Sequence, residues 1–321
     1  MKRNTDRTKT SKTYTVLLIM LLLSAIVSIG GIYVYNRSQT KRIEEAKASG
    51  FVPKSKRDVA RDEEIKKRLM EEEEARKKAE IELVPGKNHN QKASGYAYST
   101  ADVAKWMADG TPDGEKIAFL TFDDGPNLSN TPLVMDTLQE LGVPGTFFIV
   151  GGNITEENSD VLRREIREGH AIAFHSFTHN YDLLYPGRYA DASRILEEVK
   201  LCEKAISDVF GTDFKTGAFR YPGGHMSWNA LEEADAQLLE RGYTWMDWNA
   251  LTGDAEPEGI RPTDIDGMVD FLEMTIHNAG DPDALVVLMH DAEGKILTRE
   301  SLPKIVERLR SLGYTRFGVL Q

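Results

Sequence analysis

From residue 116 onward the sequence alternates short apolar or β-branched runs with longer stretches of helical period. That alternation restricts the chain to a parallel sheet of βα units. Seven runs read as strands, at 117–122, 146–150, 171–175, 217–220, 243–248, 285–290 and 316–320. Helices fit between them at 132–141, 159–168, 191–210, 227–241, 263–278 and 302–312, several closed by a following glycine such as Gly142, Gly169 or Gly313. Six helices between seven strands predict a distorted (β/α)7 barrel, since about 200 residues is short for the eight-fold version. An open doubly wound sheet is the second architecture the pattern allows.

In both architectures reactive groups belong at the carboxyl ends of strands, and the polar residues of this chain comply. Asp123 and Asp124 follow the first strand, His175 and His179 the third, and Arg220 the fourth; Asp247 and Asp254 follow the fifth, and His290 with Asp291 the sixth. Packing alone gives no reason for so many titratable groups to meet on one rim. His175 and His179 are four apart, a spacing that on a helical turn brings two imidazoles to one side, as two ligands of one metal require. Two His and one Asp leave positions open for water and substrate, the composition of a hydrolytic divalent-metal site. Of two adjacent carboxylates, one could bind the ion while the other accepts a proton from water, because neighbouring side chains leaving a strand point apart. An Asp-Asp-Gly-Pro stretch by itself fits a side-chain-capped turn equally well.

Charge narrows the partners. Residues 1–115 carry a net +5 and residues 116–321 a net −16, so the βα region repels nucleic acid while tolerating neutral or cationic polymers. The single cysteine, Cys202, cannot form an intrachain disulfide and sits in a helical pattern as a small buried residue. Upstream, residues 16–35 are twenty uncharged, mostly apolar residues, enough to cross a bilayer as a helix. Lys2, Arg3, Arg7, Lys9 and Lys12 precede them, which places a tail (1–15) in the cytoplasm and the rest outside the plasma membrane; cleavage of this segment as a secretion signal is the alternative. Residues 36–90 read as a charged helical stalk, with 13 Lys+Arg and 12 Asp+Glu between 41 and 84, and residues 91–115 as a linker with an amphipathic helix at 102–107.

The segments TFDDGP (121–126), HSFTH (175–179), RYPGG (220–224), Asp247-Trp248-Asn249 through Asp254, and LMHD (288–291) resemble, in order and spacing, the motifs of polysaccharide deacetylases, the NodB-like domain of carbohydrate esterase family 4. The resemblance covers 116–321. It implies a metal-dependent hydrolase, zinc-type with Co2+ or a similar ion as alternative, removing N-acetyl groups from N-acetylglucosamine units of peptidoglycan or a related extracellular glycan. It implies that Asp124, His175 and His179 hold the metal, that Asp123 is the general base, and that His290 is the general acid. Arg220 would orient Asp123, and Asp254, ahead of Asp247, would tether Arg220. Trp248 and Leu288 would shape an acetyl pocket, and Tyr221 and Gly223 would touch substrate. Where many members read Arg-x-Pro-Tyr this chain has Gly223 after Pro222, with its tyrosine at Tyr221; Leu251 and Ala255 depart from the fourth motif. An O-acetyl polysaccharide esterase and a catalytically silent glycan-binding module are the alternative readings.

Other residues carry milder expectations. His225 and Tyr181 with Tyr185 are groove candidates, Trp245 is a core residue, and His89, His170 and His277 have no functional part.

Overall fold

Twenty-six residues rich in Glu, Lys and Arg, without Gly or Pro, form α1 (Lys56–Ile81) in this computed structural model, which describes residues 56–321 and positions 37, 38, 40, 41 and 44. Pairs four apart, Arg68–Glu72 at 2.9 Å and Lys67–Glu71 at 3.6 Å, lie along its exposed surface. The chain divides into two units, Met1–Glu73 and Glu74–Gln321. Among the described residues no helix is long and apolar enough to cross a membrane. The expected span at 16–35 and its cytoplasmic tail lie outside the described residues.

The second unit is an α/β half-barrel of parallel strands. Its centre is β2 (Ile117–Asp123), with every residue buried, as expected of a strand covered on both faces. The other strands are β1 (Ala97–Tyr98), β3 (Thr146–Ile149), β4 (Ala171–Phe174), β5 (Ala218–Phe219), β6 (Thr244–Trp245), β7 (Ala250–Leu251), β8 (Ala284–His290) and β9 (Arg316–Leu320). On one side β2 pairs along its whole length with β8, which pairs onward with β7. On its other side the first half of β2 pairs with β9 and the second half with β3, from which β4, β5 and β6 continue. No ladder joins β6 to β7 among the described residues, so the barrel is open there.

Helices α2 (Thr100–Asp109), α3 (Thr131–Leu141), α4 (Ser159–Glu168), a single turn α5 (Tyr181–Leu184), α6 (Ala192–Phe210), α7 (Glu232–Glu240), α8 (Ile265–Asn278) and α9 (Ile296–Ser311) link the strands. Gly142 and Gly169 end α3 and α4 in left-handed conformation, φ 66° and 93°. The expected helices recur with shifted ends. The 227–241 stretch begins only at Glu232, because His225–Ser227 forms a separate short turn. The 302–312 stretch starts six residues earlier, with Pro303 inside the helix rather than at its first turn.

Two corrections concern strands and linker. The 243–248 run is strand only at Thr244–Trp245, and the chain re-enters the sheet as β7, which the sequence reading lacks. Residues 91–115 carry the expected helix, as α2 packed on β8, but are more than a linker: they also supply β1, paired with β9. Just upstream, the fully buried Asn88 donates through Nδ2 to Ile172 O (2.9 Å), Leu320 O (2.8 Å) and Thr216 Oγ1 (3.2 Å).

Candidate active site

β2 delivers two carboxylates into different surroundings. Asp123, its last residue, stays in the sheet and is 2% exposed; Asp124 follows at φ 80°, a left-handed conformation rare for a residue with a side chain. A cis Gly125–Pro126 peptide comes next. Strand β4 delivers the two histidines, but not on a helical turn as the spacing suggested. Ser176 (φ 65°) and His179 (φ 52°) are both left-handed, and this irregular loop is what turns both imidazoles toward Asp124.

One ligand atom each from Asp124, His175 and His179 lies within 4.8 Å of the others. His179 Nε2 is 3.4 Å and His175 Nε2 3.8 Å from Asp124 Oδ1. His175 Nδ1 lies 2.9 Å from the carbonyl of Arg220, which can only accept, so the ring proton sits there and Nε2 presents its lone pair. Burial, with His179 close by, holds the His175 pKa down at about 3, so the ring is neutral. Asp124 Oδ1 is buried without a hydrogen-bond partner. Two neutral-capable imidazoles converging on an orphaned carboxylate oxygen fit a divalent cation.

Asp123 sits beside this triad, its Oδ2 3.6 Å from His175 Nε2. Its Oδ1 accepts from Arg220 Nη1 at 2.7 Å. Burial raises the Asp123 pKa, with the Arg220 charge opposing. Arg220 is fully buried, packed 3.9 Å from the centroid of Phe148. Thr121 Oγ1 (2.9 Å) and the carbonyls of Met246 (2.8 Å) and Asp247 (3.2 Å) accept three of its other N–H groups.

Asp254 therefore does not tether Arg220. It binds His290 instead: Oδ1 lies 2.9 Å from His290 Nδ1, and Oδ2 accepts from the His290 N–H at 2.8 Å and from Thr298 Oγ1 at 2.8 Å. The sequence offered Arg220 a carboxylate partner on this loop, but backbone carbonyls do that work. Burial disfavours the His290 cation, yet the Asp254 hydrogen bond and charge outweigh it and the pKa is raised. His290 is the register neighbour of Asp123 across β2 and β8, which places acid and base candidates side by side.

A cavity of about 310 Å³ reaches Asp123, the triad and His290, with Tyr181, Trp248, Leu251 and Leu288 among its walls. Gly223 lines it as expected, at φ 78°, and a Cβ on Gly224 would lie 2.8 Å from the Trp248 ring. Tyr221 does not line it. It is fully buried and donates to Asp235 Oδ1 at 2.8 Å, so the substrate contact expected of it is withdrawn. His225 pairs with the same Asp235 at 2.8 Å and stacks on Trp245. Tyr185 is buried against Trp228 with centroids 4.0 Å apart, behind Tyr181. Sequence reasoning missed Thr121, Lys295, which lines the cavity and donates to Asp254 O at 2.7 Å, and Glu198. Only Glu198 left a signal: a carboxylate within the apolar stripe of α6.

A family model described as polysaccharide deacetylase matches residues 110–240. A solved structure of a Streptococcus mutans CE4 esterase is 47% identical, covering 75% of this chain and 99% of its own, with TM-score 0.72. A peptidoglycan-N-acetylglucosamine deacetylase of Bacillus cereus is 32% identical over 62% of this chain and 67% of its own length. A bifunctional xylanase/deacetylase of Pseudobutyrivibrio xylanivorans is 29% identical over 63% of this chain, which spans only 29% of that larger protein.

Proposed function

Since the chain belongs to the polysaccharide deacetylase family, we propose that it hydrolyses the N-acetyl groups of N-acetylglucosamine units in peptidoglycan or a related extracellular polysaccharide. The observation that carries this reading is the convergence of three ligand atoms within 4.8 Å, flanked by Asp123 and His290 as register neighbours. Asp124, His175 and His179 would hold a divalent ion, zinc or one similar to it such as cobalt. When bound, such an ion supplies a Lewis acid for acyl hydrolysis.

The remaining chemistry falls to the chain. Asp123, held in place by its hydrogen bond from Arg220 Nη1, accepts the proton of the attacking water. The amide nitrogen is a poor leaving group until protonated, and His290 donates that proton. Its Nδ1 is engaged by Asp254, so Nε2 is the donor. The Gly223 N–H is the candidate donor to the developing oxyanion, and Trp248 and Leu288 enclose the acetyl methyl. A neutral glycan suits a region of net charge −16, and a partly deacetylated, cationic product is attracted to it. The apolar segment 16–35 would anchor the hydrolase at the outer face of the plasma membrane. Detergent-dependent extraction of the full chain, lost on deleting 16–35, tests that.

A second reading, O-acetyl ester hydrolysis, is favoured by the similarity to the streptococcal esterase. Purified protein incubated with N-acetylglucosamine oligomers and with acetylated xylan, each with and without chelator, separates the two. Chelator-sensitive acetate accompanied by new free amines is expected. Acetate from the ester substrate alone would overturn the amide assignment, and chelator-resistant turnover would overturn the metal site.

A further inference from the structure

The loop that carries both histidines is irregular, so its backbone groups must find hydrogen-bond partners outside regular structure. From residue 175 to 179 four of its five backbone N–H groups have named acceptors. The His175 N–H donates to Ile149 O (2.9 Å). The carbonyls of Ser176 and Phe177 accept from the N–H groups of Gly151 (2.9 Å) and Gly152 (2.7 Å). The His179 N–H turns back onto Ser176 Oγ at 3.0 Å. Two further donors, the N–H groups of Phe177 and Thr178, both go to one oxygen of Glu198, at 3.0 and 2.8 Å. The other Glu198 oxygen accepts from Thr178 Oγ1 at 2.7 Å.

Glu198 is 1% exposed and stands on α6, some twenty residues away in sequence. It lies on the buried stripe of that helix with Ile195, Val199 and Cys202. Cys202, one turn on, packs where a Cβ on Gly151 would be, 2.7 Å from its Sγ. The same face of α6 thus closes the loop twice: directly through the carboxylate, and through the glycine pair whose N–H groups hold the loop carbonyls.

We propose that Glu198 is a positioning residue of the metal centre, fixing the left-handed loop in which His175 and His179 converge on Asp124. The proposal rests on the reading of those three residues as metal ligands. Glu198 touches neither substrate nor the reacting atoms and acts through the loop. Without it two part-buried N–H groups lose their acceptor, the loop relaxes from its two left-handed residues, and the imidazoles separate.

Metal affinity of the full chain, read by competition with a chromophoric chelator for Zn2+ and by the visible spectrum of the Co2+ form, tests this. Glu198→Ala should weaken Zn2+ binding by about 10–100-fold and change the Co2+ spectrum. Glu198→Gln should stay near the parent, because its carbonyl oxygen can accept from both N–H groups while its amide donates to Thr178 Oγ1. Thr178→Val, which spares both backbone bonds, should cost less than Glu198→Ala. Zn2+ affinity within a factor of two of the parent in a folded Glu198→Ala protein would overturn the proposal. If Glu198→Ala does not fold, Glu198→Gln as weak in Zn2+ binding as Asp124→Ala would do the same. A parent chain that binds no Zn2+ would instead count against the ligand assignment beneath it.

Discussion

Asp254 gives both carboxylate oxygens to the residues around His290, so its effect on the reaction is electrostatic. A His pKa raised by a carboxylate falls when that charge is removed. In Asp254→Asn the alkaline limb of the kcat/KM profile, where the acid loses its proton, should therefore move to lower pH. A limb that stays put would mean that another group donates the proton. Asp123→Asn should cut turnover by about 10²–10⁴-fold while Zn2+ affinity is retained, since Asp123 is outside the ligand set. Gly125 has a different part. A Cβ there would stand 2.5 and 2.9 Å from the oxygens of buried Asp291, itself hydrogen-bonded to Thr131, so Gly125→Ala should destabilise the fold by about 1–3 kcal/mol in denaturant titration. The aspartate and histidine positions were legible in sequence because their spacing and strand-end placement are local features. Of the partners of Arg220 only Asp123 was, since the other three are backbone carbonyls or a strand threonine, and those leave no side-chain pattern.

At the scale of elements, the long runs were legible, and two of the four shortest strands were not. Ile117–Asp123 and Ala284–His290 read as strands because each is a continuous apolar run. Ala97–Tyr98 and Ala250–Leu251 are two residues each, shorter than any periodicity can mark. They are strands only because β9 and β8 stand beside them, a tertiary cause invisible to a sequence window. The same holds for Asn88, whose three acceptors come from separate parts of the fold. A protein beginning at residue 83 should therefore unfold cooperatively with the stability of the longer chain, whereas one beginning at residue 110 should be markedly less stable. Equal midpoints in thermal unfolding would show that β1, α2 and Asn88 contribute nothing.

For the molecule as a whole, buried titratable groups set opposing pH slopes. His170 is 2% exposed and burial lowers its pKa from 6.5 to about 3. Between those values the unfolded chain binds a proton that the native chain does not, so this group makes stability rise with pH up to about 6.5. Glu165 is buried with both oxygens unpartnered, and burial holds its pKa well above 4.5, so it makes stability fall as pH rises past that value. Glu165→Gln should gain on the parent in unfolding free energy as pH climbs from 4.5 toward 8; a constant difference would refute it. The polarity of the barrel has one more consequence. Asn88 docks the incoming chain at the amino ends of β4 and β5, whereas the acid, the base and the histidines stand at the carboxyl ends. Immobilising this protein on a bead through the exposed residues 85–87 would leave the catalytic mouth facing outward, free to graze on a polymer too large to diffuse.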